Sequence, residues 1–302
     1  ITADDGALPP GPPQDLGVRA EIAEATGRAE EALPLVEQAL HARPDDPRLQ
    51  IVKARALASL GRQPEAIEMI APQLAQPDAA LGGAEARRAL LGLRSGWFRA
   101  LGREAEALAD ALLARGIRLR DPALPPELLD LSAHYNRLPL GGWLSGEDDS
   151  LVGVQTLDGV RFDIRGRVQL GGPENLRKVY PTVVTNLPVN RPVRRLHALH
   201  ATLGTDAPGT KIASLQLHFA DGRRHELPIV FGEDVLGLYA DSDQGQPARS
   251  TVAWRGRDQT GSSIRLFHSA WAIPFPETVV TVLDYVSAET ACSPFLIGLT
   301  VE

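Results

Sequence analysis

Apolar positions in the first third of the chain recur on two scales. Locally they fall three or four residues apart, as along one face of a helix: Leu16, Ala20, Ala23, then Ala32, Val36, Ala39. The whole set then repeats. Adding 34 residues gives Gln50, Ala54, Leu57, Ala66, Ile70 and Gln73, and a third copy gives Leu91, Ser95, Phe98, Ala107, Ala111 and Ala114. Each set is broken at its middle by one short string. The three strings are Gly27-Arg28-Ala29-Glu30-Glu31-Ala32, Gly61-Arg62-Gln63-Pro64-Glu65-Ala66 and Gly102-Arg103-Glu104-Ala105-Glu106-Ala107, separated by 34 and then 41 residues. Helices joined at a glycine and repeated near this period predict a stack of helix pairs that bury their apolar faces on one another. Ala20, Ala54 and Ser95 are small enough to let paired helices approach. The glycines supply a cheap positive φ where the first helix of each pair ends. Pro44 closes the first pair, whereas the third copy has Leu119 at that place and Leu81-Gly82-Gly83 in its inserted segment.

Beyond the proline-rich stretch Asp121-Pro122-Ala123-Leu124-Pro125-Pro126 the period falls to two. Strands are expected at 152–157, 160–164, 167–170, 194–202, 212–219, 225–231, 250–254, 263–271, 279–287 and 295–301. Short strands punctuated by Gly, Pro and Asp suggest an antiparallel sandwich. One hairpin can be set in register. A three-residue loop, Asp221-Gly222-Arg223, pairs Leu217 with Leu227 and Leu215 with Ile229 on the buried face, and places His218 opposite Glu226 and His225 beside Phe219.

The first half resembles the tetratricopeptide repeat: a small residue in the first helix, Gly at the turn, Ala in the second. The second half carries Val154 to Gly166, Arg195 to Ala201, Leu217 to Gly222, Ile229 to Val235 and Pro294 to Glu302. It resembles bacterial galactose-binding-like and NPCBM-like carbohydrate-binding modules. That resemblance implies a jelly roll without catalytic residues. The expected organisation is α+β with two domains. A flexible tether occupies 1–14, repeats 15–120, a proline-rich linker 121–127 and the sandwich 128–302.

Composition narrows the function. A formal net charge of −7 argues against a nucleic-acid partner. No apolar run is long enough for a transmembrane segment. The single Cys292 sits among apolar neighbours and reads as an inert buried thiol. The chain begins at Ile1 rather than Met, which leaves room for a leader or anchor upstream and for an envelope-facing location.

Chemistry-bearing patterns are sparse. His197 and His200 are three apart, which on a strand means opposite faces, so one metal ion cannot use both. Trp143, Trp254 and Trp271 are the aromatic candidates for stacking on a sugar, with His218 and Glu226 beside them on the sandwich. Trp97 reads as packing. Asp148, Asp149, Asp241 and Asp243 supply hard oxygens for calcium but lack a full coordination pattern. A structural calcium is the one cofactor that the resemblance allows; otherwise none is expected. Gly142-Trp143-Leu144-Ser145-Gly146 fails as a nucleophile elbow, and no phosphate-cradling loop or zinc helix motif is present. The sequence thus predicts a non-enzymatic scaffold that binds protein partners through its repeats. A carbohydrate-binding adaptor is the alternative, and a hydrolase in the sandwich loops the least supported one.

Overall fold

The computed structural model describes residues 16–141, 150–239 and 245–302. It contains two compact units that divide between Gly116 and Ile117.

The helical unit is built from α1 (Leu16–Ala25), α2 (Ala29–Ala42), α3 (Pro47–Ser59), α4 (Gln63–Leu74), α5 (Asp78–Leu81), α6 (Ala84–Ala100) and α7 (Glu104–Ala114). Three pairs, α1 with α2, α3 with α4 and α6 with α7, stack in that order. Gly27, Gly61 and Gly102 have φ of 77°, 79° and 70°, the left-handed conformation that ends the first helix of each pair. The arginine after each glycine reaches the glutamate three residues on, as Arg28–Glu31, Arg62–Glu65 and Arg103–Glu106. Helix α3 starts on Pro47 at its first position. The Asp46 carboxylate accepts hydrogen bonds from the amides of Arg48 (3.0 Å) and Leu49 (3.3 Å). Helix α2 ends at Ala42 with Arg43 as its C-cap, just before Pro44 as expected, and the next helix restarts at Asp46 and Pro47. Ala20, Ala23, Ala32, Ala54, Ala66 and Ala107 are all fully buried. The longer third spacing is taken up by α5 and by Gly82 and Gly83, at φ 89° and 108°. In α7 the buried residues are Ala107, Asp110 and Leu112, so the predicted Ala111 and Ala114 are only half-buried. Asp110 is held there by both arms of Arg94, at 2.7 and 2.8 Å.

The β unit contains β1 (Gly153–Leu157), β2 (Val160–Ile164), β3 (Val168–Gln169), α8 (Glu174–Arg177), β4 (Val183–Pro192), β5 (Arg195–Leu203), β6 (Lys211–Phe219), β7 (Arg224–Val230), β8 (Thr251–Arg257), β9 (Ser263–Ala272), β10 (Val279–Ser287) and β11 (Ser293–Val301). Two antiparallel sheets run β4-β10-β6-β7 and β3-β11-β5-β9-β8. With β8 and β9 counted as one arm and the β6–β7 hairpin kept within the first sheet, the strands follow the order of a jelly roll. The inner face of the first sheet carries Leu215, Leu217, Leu283 and Tyr285. That of the second carries Leu196, Ala198, His200, Phe267 and Leu299, and all nine are buried. The hairpin β1–β2, closed by Asp158-Gly159 with φ 50° and 76°, covers the other face of the second sheet.

Three expectations are corrected. Strand β4 was not predicted. It is an edge strand, where Pro188 and Pro192 are tolerated, and Asn186 and Asn190 take positive φ at its two register shifts. The hairpin β6–β7 has the expected loop length, but the loop is Ala220-Asp221-Gly222. Gly222, at φ 87°, must stand third to close a bulged three-residue turn. Leu215 therefore pairs with Leu227, Leu217 with His225, His218 with Arg224, and Glu226 with Gln216. The slip is two residues, so every side chain keeps its face and alternation alone could not detect it. Lastly, the proline-rich stretch is no free linker. The β unit begins at Ile117, Arg120 donates to the Pro125 carbonyl and the Glu127 carbonyl accepts from the amide of Val301, so these residues belong to the β unit.

Candidate functional site

The first helices of the three pairs line a groove. Helix α1 supplies Glu24, α3 supplies Arg55, Ala58 and Ser59, and α6 supplies Leu93 and Trp97, around a volume of 320 Å³. The repeat explains this arrangement. The small and apolar residues of each first helix turn inward, so the residues beside them face the same side in every pair. Glu24 and Arg55 bridge adjacent helices at 2.9 Å. Glu24 is nearly buried whereas Arg55 keeps about two fifths of its side chain in water, 9% against 43% exposed. Trp97 packs one side against the cluster of Ala54, Leu57, Ala58, Ala66 and Ile70 and is only half-buried. The groove thus combines an aromatic wall, a floor of small residues and a paired charge whose cationic end stays accessible. In the sequence Trp97 reads as packing alone. The signal for the groove is the alignment of Glu24, Arg55 and Ala58 along one side of successive first helices.

Among the described residues, those predicted on the sandwich do not form one site. Trp254 stands beside Leu266, on the same face as His268 and Ala270. Trp271 stands beside Leu196, on the opposite face of that sheet. A Cβ at Gly256 would lie 2.2 Å from the Trp254 ring, which is therefore folded over its own strand. Trp271 meets His200 edge-on, ring centres 6.1 Å apart. His218 and Glu226 share the outer face of the first sheet but have different partners. The Nε2 of His218 lies 2.8 Å from Asp284 Oδ2, and the Nζ of Lys211 donates to Glu226 Oε1 at 3.0 Å, which holds that carboxyl below its ordinary range. Trp143, Asp148, Asp149, Asp241 and Asp243 lie outside the described residues.

His197 and His200 do occupy opposite faces of β5. His200 is fully buried in the inner core, 2.8 Å from Ser269 Oγ, and burial pushes its pKa down to about 3. His197 faces outward and meets His268, a residue the sequence analysis did not single out, with Nδ1 2.9 Å from Nε2. The far nitrogen of His268 lies 2.8 Å from the Asp158 carboxylate at the tip of β1–β2. Cys292 is buried, and burial raises its thiol to about 11, which keeps it out of nucleophilic chemistry. Among the described residues no group of three or more His, Cys, Asp or Glu side chains could hold a metal ion, and no helix is long and apolar enough to cross a membrane.

A tetratricopeptide repeat family model matches residues 23–87, from the end of α1 into α6. Repeats of this family mediate protein–protein interaction, and the groove lies on the helices that the match covers or enters. No curated protein matches the chain.

Proposed function

We propose that the protein is a non-catalytic scaffold whose helical groove holds a segment of a partner protein and whose β unit serves a second contact in the same assembly. The observation that carries this reading is the convergence of Glu24, Arg55, Ala58, Ser59, Leu93 and Trp97 from three successive pairs onto one groove. A half-exposed tryptophan beside an accessible arginine is the type of anchor that concentrates binding energy in protein interfaces. No cofactor is required for such a role. The carbohydrate-binding alternative rests on the sequence resemblance alone.

The test is affinity capture from native lysate with the intact chain and with Trp97→Ala and Arg55→Glu variants. A stoichiometric protein partner is expected, with at least tenfold weaker capture by each variant. Capture that is indifferent to both substitutions, or no partner at all, would remove the groove from this role. A glycan array probed with the intact chain separates the alternative: binding there, lost on Trp254→Ala or Trp271→Ala, would favour it.

A further inference from the structure

The outer face of the five-stranded sheet carries four titratable side chains in a line, none of which the groove uses. They are Asp158 from the β1–β2 turn, His268 from β9, His197 from β5 and Glu302, which follows β11. Three junctions join them: His268 Nδ1 to Asp158 Oδ2 at 2.8 Å, His268 Nε2 to His197 Nδ1 at 2.9 Å, and His197 Nε2 to Glu302 Oε1 at 3.2 Å. A neutral imidazole carries one N–H, and a carboxylate only accepts. Two neutral rings therefore bring two protons to three junctions, and one junction stays empty. The empty one is identifiable. His197 Nε2 is buried and makes no hydrogen bond, with a Glu302 oxygen 3.2 Å away. Asp158, by contrast, is held twice, by His268 and by the Thr251 hydroxyl. One added proton fills the third junction. A second cannot enter, because it would set two N–H groups against each other between the rings.

We propose that this line is a one-proton switch: acidification loads His197 Nε2 and draws Glu302 onto it, completing a bonded path from the β1–β2 turn to the end of β11. The groups that face the pair are few. Asp158 and Glu302 favour the added proton, and Arg195 on β5 opposes it. Thr251 of β8 and Phe162 of β2 are uncharged, the latter edge-on to His268 at 5.8 Å. His200, behind the sheet, is neutral. Burial lowers the pKa of His197 and Glu302 works against that lowering, so loading falls on the acid side of the ordinary imidazole value of 6.5. The sign for stability follows. The unfolded chain takes the proton more readily, so the contribution of this site is full above pH 6.5. It erodes as pH falls from there and levels off once the folded chain has loaded.

Histidine-ring ¹⁵N NMR of the intact chain between pH 8 and 4.5 tests this. The line should take up a single proton in one step, with His197 Nε2 passing from unprotonated to protonated. In Glu302→Gln the side-chain amide can donate to the neutral Nε2 and fill the junction without a proton, so the midpoint should fall by about one pH unit. Two separable steps with one proton each would overturn the proposal, as would a midpoint unmoved by Glu302→Gln. Glu302 is more than half exposed, and the proton count in the unaltered chain stands without the variant.

Discussion

The helical unit and the β unit fill their interiors by opposite means. In the helical unit the fully buried positions are dominated by alanine: Ala20, Ala23, Ala32, Ala54, Ala66 and Ala107. In the β unit they include Tyr135, Phe162, Phe267, Tyr285 and Phe295, together with the buried charges Asp163, Arg165 and Arg167. The first interior is made by close approach of backbones, and its buried polar groups have neighbours nearby in sequence, as Ser95 Oγ donating to the Ala107 carbonyl twelve residues on. The second is made by bulk. Its ties run far along the chain: the Thr300 hydroxyl donates to the Arg161 carbonyl across 139 residues, and Arg120 and Arg165 converge on Asp163. A backbone-limited interior has no room to gain atoms, whereas a side-chain-filled one cannot afford to lose them. The two units should therefore fail under opposite substitutions.

The largest effect is expected from truncation in the β unit. Phe162, on β2, is fully buried against Gly298 and His268 of the second sheet. Phe162→Ala should cost about 3–5 kcal/mol, the usual range for emptying an aromatic core site. Hydrogen-exchange mass spectrometry would show the loss in peptides covering β2 and β11, with helical peptides unchanged. A cost below about 1 kcal/mol would mean that the hairpin rides on the sheet rather than belonging to its core.

Enlargement in the helical unit comes next. Ala54 is fully buried in α3 against Leu57, Ala58, Ala66 and Ile70. Ala54→Leu should cost about 1–3 kcal/mol by forcing α3 and α4 apart. The readout is denaturant unfolding followed by loss of amide protection in α3 and α4. A neutral outcome would show that the pairs can slide and that their spacing is not set by the alanines, which would erase the contrast between the units.

That contrast also decides what could be read from sequence. The glycine turns, the buried alanines and the three-pair stack were legible because each depends on residues within one repeat. The positive φ demanded at Gly27, Gly61 and Gly102 leaves the same mark three times. The β unit marks its strands but not their partners. Residues 183–192 hid as a strand because edge position licenses the prolines and asparagines that otherwise signal loop. The β6–β7 register slipped by two because the core face is identical in both alignments. The Asp158–His268–His197 line was invisible because its members come from three strands or turns whose adjacency is a product of the jelly roll. The groove lay between these cases. Its residues repeat, but only the stacked helices show that Glu24, Arg55 and Trp97 face one another.

The smallest predicted effect sharpens the comparison, because it reverses the rule for the β unit. Tyr285 on β10 is fully buried, and its hydroxyl makes no hydrogen bond among the described residues. Burial holds that phenol far above its ordinary pKa, so it stays un-ionised at any physiological pH. An orphaned hydroxyl in an apolar core costs its desolvation without return, and removing it leaves the ring that does the packing. Tyr285→Phe should therefore raise stability by about 1 kcal/mol, although it removes an atom from an interior that otherwise resists truncation. Thermal unfolding of the intact chain measures it. A fall in stability would require a partner for the hydroxyl, such as an ordered water bridging to a strand carbonyl. The inner core would then be wet at the point where β6, β10 and β4 meet.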